Sequence, residues 1–221
     1  MKLKKIASLA LAGIMAVSML AGCKDGGNSN SGSSSENTNT TSGYSAMLGQ
    51  KAAETLSKKD LDEVFSFTDN ADDQKALAKM VVDVKDSDML KWVTGNTVDV
   101  LNTSKYSNYT DIFESDAKLN RDSLVSNGEF FENQDALTKK VGAVWVANGE
   151  VSLDNVMDKI YDASEKAFEN ADKDGTVNSF DVNYDYTVSV SVVNKELKSY
   201  NDYNGSINFI AVTVTRTSEF V

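Results

Sequence analysis

The side chains that could support catalysis or metal binding in this 221-residue sequence are of few types. Histidine is absent, and Cys23 is the only cysteine. Zinc or copper sites built on imidazole or thiolate ligands are therefore excluded, as are nucleophiles activated by histidine. Carboxylate chemistry, serine–lysine pairs and metal ions bound by oxygen atoms remain. Because the sequence has 33 acidic residues, it does not single out a catalytic carboxylate pair.

The most distinctive oxygen-rich stretch is N-A-D-K-D-G-T-V-N-S-F-D, residues 170–181. It resembles the twelve-residue calcium loop of EF-hand proteins, in the variant found in dockerins, with Gly175 at the sharp turn. The alternative is an ordinary polar turn, because the first position is neutral and the next segment is predicted to be a strand. Calcium is the only candidate cofactor. The resemblance implies oxygen ligands from Asn170, Asp172, Asp174, Asn178 and Asp181, and from the backbone carbonyl of Thr176.

Two other groups of residues have spacings that suggest chemistry. Tyr200 and Tyr203 lie in a polar stretch, where their rings could stack against a sugar or peptide ligand or fold back on a hairpin. Ser115 and Lys118 have the S-x-x-K spacing of penicillin-binding enzymes, but the S-D-N and K-T-G motifs do not follow. We therefore attribute the S-x-x-K spacing to chance and assign no catalytic residue.

The first 22 residues have the pattern of an export signal. Lys2, Lys4 and Lys5 precede an uncharged and largely apolar run from Ile6 to Leu20. This run is shorter than the roughly 20 residues that a helix needs to cross a bilayer. We therefore predict a cleaved signal peptide over residues 1–22.

The apolar run ends in Leu20-Ala21-Gly22-Cys23, which resembles the lipobox of bacterial lipoproteins. In that family a diacylglyceryl group is attached to the cysteine sulfur, and a peptidase then cuts before the cysteine. The resemblance implies that Cys23 is lipidated and anchors the chain to the bacterial cell membrane, facing the extracytoplasmic side. Each methylene group buried in the bilayer contributes about 0.8 kcal/mol to membrane binding, so two acyl chains anchor a protein stably. The alternative is an uncleaved helix that ends in a buried cysteine.

The segment after the lipobox is polar, and the mature chain is acidic. Residues 24–43 contain no aliphatic or aromatic side chain, which predicts a disordered tether over residues 23–43 and a single globular domain over 44–221. Loss of residues 1–22 removes three lysines and changes the formal net charge from −11 to −14. Nucleic acid is not a predicted partner, because phosphate backbones would be repelled.

Hydrophobic periodicity predicts several helices in the first part of the domain. Two short helices are expected to meet at residues 58–59, and a third is expected to begin at Asp69 or Asn70. Residues 97–131 show little pattern apart from one helical turn around Tyr109. Residues 136–147 fit a helix that ends at Gly149, whereas residues 141–147 alone fit a buried strand, and we favour the helix. Ser152 is expected to cap the best-formed amphipathic helix of the domain.

The C-terminal part is predicted to form a long antiparallel hairpin. Residues 180–192 alternate strictly between apolar and polar side chains, as in a strand buried on one face. Residues 206–217 form a partner strand in which the apolar phase slips between Phe209 and Ile210, which suggests a bulge. A loop over residues 194–205 would join the two strands.

Together these patterns predict an α+β fold. The N-terminal two thirds would be helical, and the C-terminal hairpin would pack on the helix that follows Ser152. The favoured function is a non-enzymatic binding or accessory domain at a bacterial cell surface, with a protein, peptide or carbohydrate as ligand. The alternatives are a carboxylate-dependent hydrolase of cell-wall or dietary polysaccharide and a calcium-stabilised surface adhesion module.

Overall fold

The computed structural model describes residues 43–95, 98–101, 103–120, 137–200 and 203–221. The predicted signal peptide, the lipobox and the predicted tether up to residue 42 lie outside the described residues. The described helices are α1 (Tyr44–Lys58), α2 (Ala71–Asp83), α3 (Asp86–Val93), α4 (Ser107–Asp116) and α5 (Leu153–Glu169). The described strands are β1 (Phe65–Phe67), β2 (Val98–Val100), β3 (Thr138–Asn148), β4 (Asp174–Val177), β5 (Phe180–Tyr200) and β6 (Tyr203–Phe220). None of these helices has the length and apolarity needed to cross a membrane.

The strands form one mixed sheet in the order β1-β5-β6-β3-β2, and β4 pairs with the start of β5. Only β1 runs parallel to its neighbour among the described pairs. Helices α1 and α5 share one hydrophobic core with one face of the sheet, and α2, α3 and α4 share a second core with the other face. The protein therefore has a mixed α/β fold with helices on both faces of its sheet.

The predicted division into a helical two thirds and a C-terminal hairpin is wrong. Three strands, β1, β2 and β3, lie between helices in the first part of the chain. The antiparallel pairing of β5 with β6 is observed, but these strands are the centre of a larger sheet rather than an isolated hairpin. Strands as short as β1 and β2, with three residues each, leave too little periodicity to be recognised in a sequence.

The helix favoured over residues 136–147 is also wrong, because this segment forms β3. The strand pairs with β6 along its whole length and with β2 near its end. Val141 and Ala147 belong to one core, and Val144 and Val146 belong to the other. A strand that is buried on both faces has a continuous apolar run, which periodicity cannot distinguish from a buried helix.

Burial on both faces also explains the phase slip in β6. The pairing of β6 with β3 is continuous through Phe209 and Ile210, so the predicted bulge is absent there. Phe209 faces the core under α2, α3 and α4, and Ile210 faces the opposite core. The observed register shift lies between Leu197 and Tyr200, and the strands extend through most of the predicted 194–205 loop.

Two predicted helix starts are confirmed. The side chain of Asn70 accepts hydrogen bonds from the backbone N–H groups of Asp72 and Asp73 at the start of α2. The side chain of Ser152 accepts from Asn155 N–H at the start of α5. Because these caps act within four residues of sequence, local pattern is sufficient to place them.

The second of the two helices expected around residues 58–59 is not present. Asp60 has a positive φ of 58°, and its N–H donates to Ser57 O, while Leu61 N–H donates to Leu56 O at 2.8 Å. These two bonds form a Schellman motif that ends α1. The chain then leads into β1.

Replacement of Asp60 with glycine is expected to raise the free energy of unfolding by about 0.5–1 kcal/mol. Glycine adopts a positive φ without steric cost, and an acidic side chain is unfavourable at a helix C-terminus. The ion pair of Asp60 with Lys173 is exposed and contributes little. Urea denaturation of Asp60→Gly and Asp60→Ala measures the effect. An equal gain in both variants would exclude the backbone explanation.

The outer edge of β5 is covered beyond the short strand β1. Val190 N–H donates to the hydroxyl of Ser45 at 2.9 Å. The side-chain amide of Gln74 donates to Val192 O and accepts from Val192 N–H, at 2.9 and 3.1 Å. The first residues of α1 and α2 thus satisfy backbone groups that an uncovered edge strand would offer to other chains.

The C-terminus of α2 is capped by a residue distant in sequence. Its last turn has no basic residue. The ammonium group of Lys195 on β5 donates to the carbonyl oxygens of Val81, Val82 and Val84, at 2.9, 3.1 and 2.7 Å. A cation in this position satisfies free carbonyls and interacts favourably with the helix dipole.

Replacement of Lys195 with methionine is expected to lower the free energy of unfolding by about 1–2 kcal/mol, because three carbonyls lose a charged donor. Lys58→Met is the matched control. Both side chains of the ion pair between Lys58 and Glu54 are exposed to solvent, so the loss of this pair should change the free energy of unfolding little. Urea denaturation curves for both variants test the prediction. Equal stability of the two variants would contradict it.

Candidate functional site

The residues of the candidate calcium segment lie at the surface between α5 and β5. Asn170 follows the last residue of α5, and residues 174–177 form β4. Asn178 and Ser179 both have a positive φ, the sign that a two-residue type I′ hairpin turn requires. The backbone is therefore a tight hairpin, in which Thr176 pairs with Asp181 and Asp174 pairs with Asn183.

Gly175 has a packing role in this hairpin. A Cβ atom at Gly175 would lie 2.4 Å from the hydroxyl oxygen of Tyr184 and 2.9 Å from its ring. Tyr184 is buried, and the guanidinium carbon of Arg216 lies 4.2 Å from the centre of its ring. The hydroxyl of Tyr186 donates to Asp172 O at 2.8 Å, and burial raises the pKa of Tyr186 to about 12. The side chains of Tyr184 and Tyr186 therefore hold this segment against the sheet.

Calcium binding by residues 170–181 remains a prediction. Within the described ranges, no group of three or more acidic side chains is placed to hold a metal ion. We expect millimolar calcium to give heat of binding with the wild-type protein and Asp174→Ala to abolish it, because carboxylate oxygens are the preferred calcium ligands. Asp185→Ala, on β5 outside the segment, is the control. Isothermal titration of the wild type without heat would contradict the prediction.

The candidate ligand-binding residues Tyr200 and Tyr203 end β5 and begin β6. Their backbones pair with each other at the tip of the hairpin. Their side chains lie outside the described part of the structure, so a role in binding a ligand remains a prediction.

A cleft that the sequence did not indicate lies between α2, the end of α4 and β3. Its volume is about 440 Å³. The charged residues that line this cleft are four lysines and two aspartates. We call the cleft the lysine cleft. These residues are Lys75, Lys79, Lys118, Lys140, Asp72 and Asp116. They come from separate elements, so the sequence carries no local signal for them.

The base of the lysine cleft is held by a buried ionic contact. Asp73, at the start of α2, is 1% exposed and forms an ion pair with the ammonium group of Lys140 on β3. The hydroxyl of Thr213 on β6 donates to the other carboxylate oxygen of Asp73 at 2.6 Å. Lys140 also donates to Ala117 O at 3.0 Å. This contact joins α2 and the end of α4 to two strands of the sheet.

The rim of the lysine cleft is exposed and carries weaker pairs. Lys79 lies 2.6 Å from Asp116, and Lys75 lies 3.8 Å from Asp72. Lys118 forms no ion pair with another described residue. It follows α4 in a second Schellman motif, with a positive φ of 57° and with Leu119 N–H donating to Glu114 O. The rim lysines can therefore turn towards a ligand.

Two carboxyl groups outside the lysine cleft, those of Glu54 and Asp88, have pKa values shifted in a direction that disfavours acid catalysis. A hydrogen bond from Lys58 lowers the pKa of Glu54, and one from Lys91 lowers the pKa of Asp88. Both groups are therefore ionised near neutral pH, whereas the general acid of a glycosidase needs a raised pKa.

The lysine cleft is a concave feature of the described structure whose lining is rich in charged side chains. Its volume lies within the roughly 300–1,000 Å³ typical of ligand pockets. Comparison with known proteins adds no assignment. No family model, curated protein or solved structure matches this chain.

Proposed function

We propose that this chain is a lipid-anchored, extracytoplasmic binding module of a bacterial cell surface. The observation that carries the proposal is the order of residues 1–23: a basic start, an uncharged apolar run, and Leu20-Ala21-Gly22-Cys23. Export also accounts for the single cysteine, because a lipidated sulfur leaves no free thiol to oxidise. The polar stretch 24–43 would hold the globular domain roughly 25 Å from the membrane.

Binding is favoured over hydrolysis because of the charges in the lysine cleft. Asp72 and Asp116 each lie within 4 Å of a lysine ammonium group. Polysaccharide hydrolysis uses two carboxyl groups that face the scissile bond, whereas each of these carboxylates is paired with a lysine. The lining is suited to holding a polar ligand.

The test is the mass of the N-terminal peptide of the protein isolated from its native host. The expected peptide begins at Cys23 and carries a diacylglyceryl group on the sulfur. A mature protein that begins elsewhere, or that has an unmodified Cys23, would contradict the anchoring. Affinity capture from intact cells, with the anchored protein as bait, then identifies what the domain binds.

A further inference from the structure

We infer that the lysine cleft binds the acidic sugar units of a surface glycan. Its ammonium groups would contact the sugar's carboxylate or phosphate, and its carboxylates would accept hydrogen bonds from sugar hydroxyls. This inference rests on the proposed function, because extracytoplasmic display brings the cleft to such a glycan. To the proposed binding function it adds the chemical class of the ligand and the residues that would recognise this ligand.

The lysines converge from three elements. Lys75 and Lys79 are four residues apart on α2, so their side chains project from the same face of the helix. Lys118 follows α4, and Lys140 comes from β3. Lys140 is held by its contact with Asp73, whereas Lys75 and Lys79 have side-chain exposures of 77% and 65%. The site thus combines one fixed ammonium group with others that can adjust.

The overall charge of the protein makes this arrangement distinctive. The globular domain, residues 44–221, has 18 basic and 31 acidic residues and a formal net charge of −13, which disfavours the approach of anions in general. The pair of Lys75 with Asp72 is exposed on both partners, and in the pair of Lys79 with Asp116 the lysine is exposed and the aspartate is 31% exposed. Pairs at the protein surface contribute little to stability. An anionic ligand can therefore displace them at small cost.

The carboxylates of the lysine cleft favour a sugar over a bare polyanion. Asp72 and Asp116 would repel a chain of phosphates, but they accept hydrogen bonds from hydroxyl groups. Lysine is a compact charge with three donors and imposes no planar geometry, so it suits either carboxylate or phosphate. A ligand that carries both an anionic group and hydroxyls satisfies both kinds of lining residue.

The two Schellman motifs provide a matched pair of variants. Lys118→Gly removes a charge from the lysine cleft, and glycine readily adopts the positive φ at this position. Asp60→Gly makes the same backbone change at the end of α1, and Asp60 does not line the cleft. Both variants are expected to fold, so a difference in binding reports the lysine side chain.

The experiment titrates the mature protein, purified from its host, with four probes at low salt. These are oligogalacturonate, which carries carboxylates, glucose 6-phosphate, which carries phosphate, neutral oligogalactose, and inorganic polyphosphate, which carries no sugar. We expect both anionic sugars to shift the amide NMR signals of Ala76 and Ala117, and the neutral probe to shift neither. Lys118→Gly should weaken binding about two- to five-fold. The double variant Lys75→Gln/Lys79→Gln should weaken it about ten-fold or more, and Asp60→Gly should leave it unchanged.

Three results would overturn the inference: no shift with either anionic sugar, equal binding by the wild type and Lys118→Gly, or inorganic polyphosphate binding at the cleft as well as both anionic sugars do. The first two would remove the site, and the third would remove the sugar specificity. None of them affects anchoring, because the N-terminal mass is measured separately. A lipidated protein with an inert cleft would therefore retain the proposed function and lose only this ligand class.

Discussion

Replacement of Asp73 with alanine is expected to lower the free energy of unfolding by about 3–5 kcal/mol. Asp73 is almost completely buried, and it pairs with Lys140 and accepts a hydrogen bond from Thr213. Its removal leaves the ammonium group of Lys140, whose side chain is only 16% exposed, without its counter-charge. The loss can be read from urea denaturation followed by the fluorescence of Trp92 and Trp145.

A cycle of variants separates the charge from the packing. Lys140→Met alone should be strongly destabilising, because it leaves the carboxylate of Asp73 buried and unpaired. Thr213→Val should cost only about 1–2 kcal/mol, since one hydrogen bond is lost. The double variant Asp73→Leu/Lys140→Met should recover most of the stability. If Asp73→Ala lost less than about 1 kcal/mol, the role assigned to the buried pair would be wrong.

Replacement of Cys23 with alanine is expected to abolish the incorporation of labelled palmitate. Without the sulfur no diacylglyceryl group can be attached, and in the lipoproteins that residues 1–23 resemble the peptidase cuts only after this attachment. The variant is therefore expected to keep residues 1–22, whereas the wild type is held by two acyl chains, which give stable attachment. The measurements are the incorporation of labelled palmitate and the mass of the N-terminal peptide.

The control for this prediction is Ser33→Ala, a change in the polar stretch after the lipobox. It should leave both palmitate incorporation and the N-terminal mass unchanged. Incorporation of palmitate by Cys23→Ala at the wild-type level would refute the lipid anchor at Cys23.

Local features were predictable where the residues that contact each other are also close in sequence. The caps formed by Asn70 and Ser152 and the α5 helix follow from spacings of three to four residues. The strict alternation from residue 180 likewise identifies the start of β5, where exposed Asp181, Asn183 and Asp185 alternate with buried neighbours.

The same reasoning fails where both faces of an element are buried. Ser189 and Ser191 continue the polar phase of β5, yet both are buried, since α2 packs against this part of the strand. The preference for a helix at β3 is wrong for the same reason. When helices cover both sides of a sheet, neither face of a strand is exposed to solvent. Apolar and polar side chains then no longer alternate along the sequence, and this alternation is the signal that identifies a strand.

The candidate sites divide in a similar way. Residues 20–23, which resemble a lipobox, and the 170–181 segment are each continuous in sequence, so their chemistry could be proposed from spacing alone. The lysine cleft is assembled from α2, the end of α4 and β3, and its residues span positions 70–140. Its members are ordinary charged residues until the fold brings them together.

The sequence by itself determined the features that depend on neighbouring residues: the predicted export and lipidation signal, the excess of negative charge, the helix caps and the strong alternation of β5. Only the tertiary structure decided which segments form the mixed sheet and which charges share a cleft. These depend on contacts between residues far apart in the chain. Burial on both faces of the sheet removes the periodic signal that would otherwise reveal such contacts.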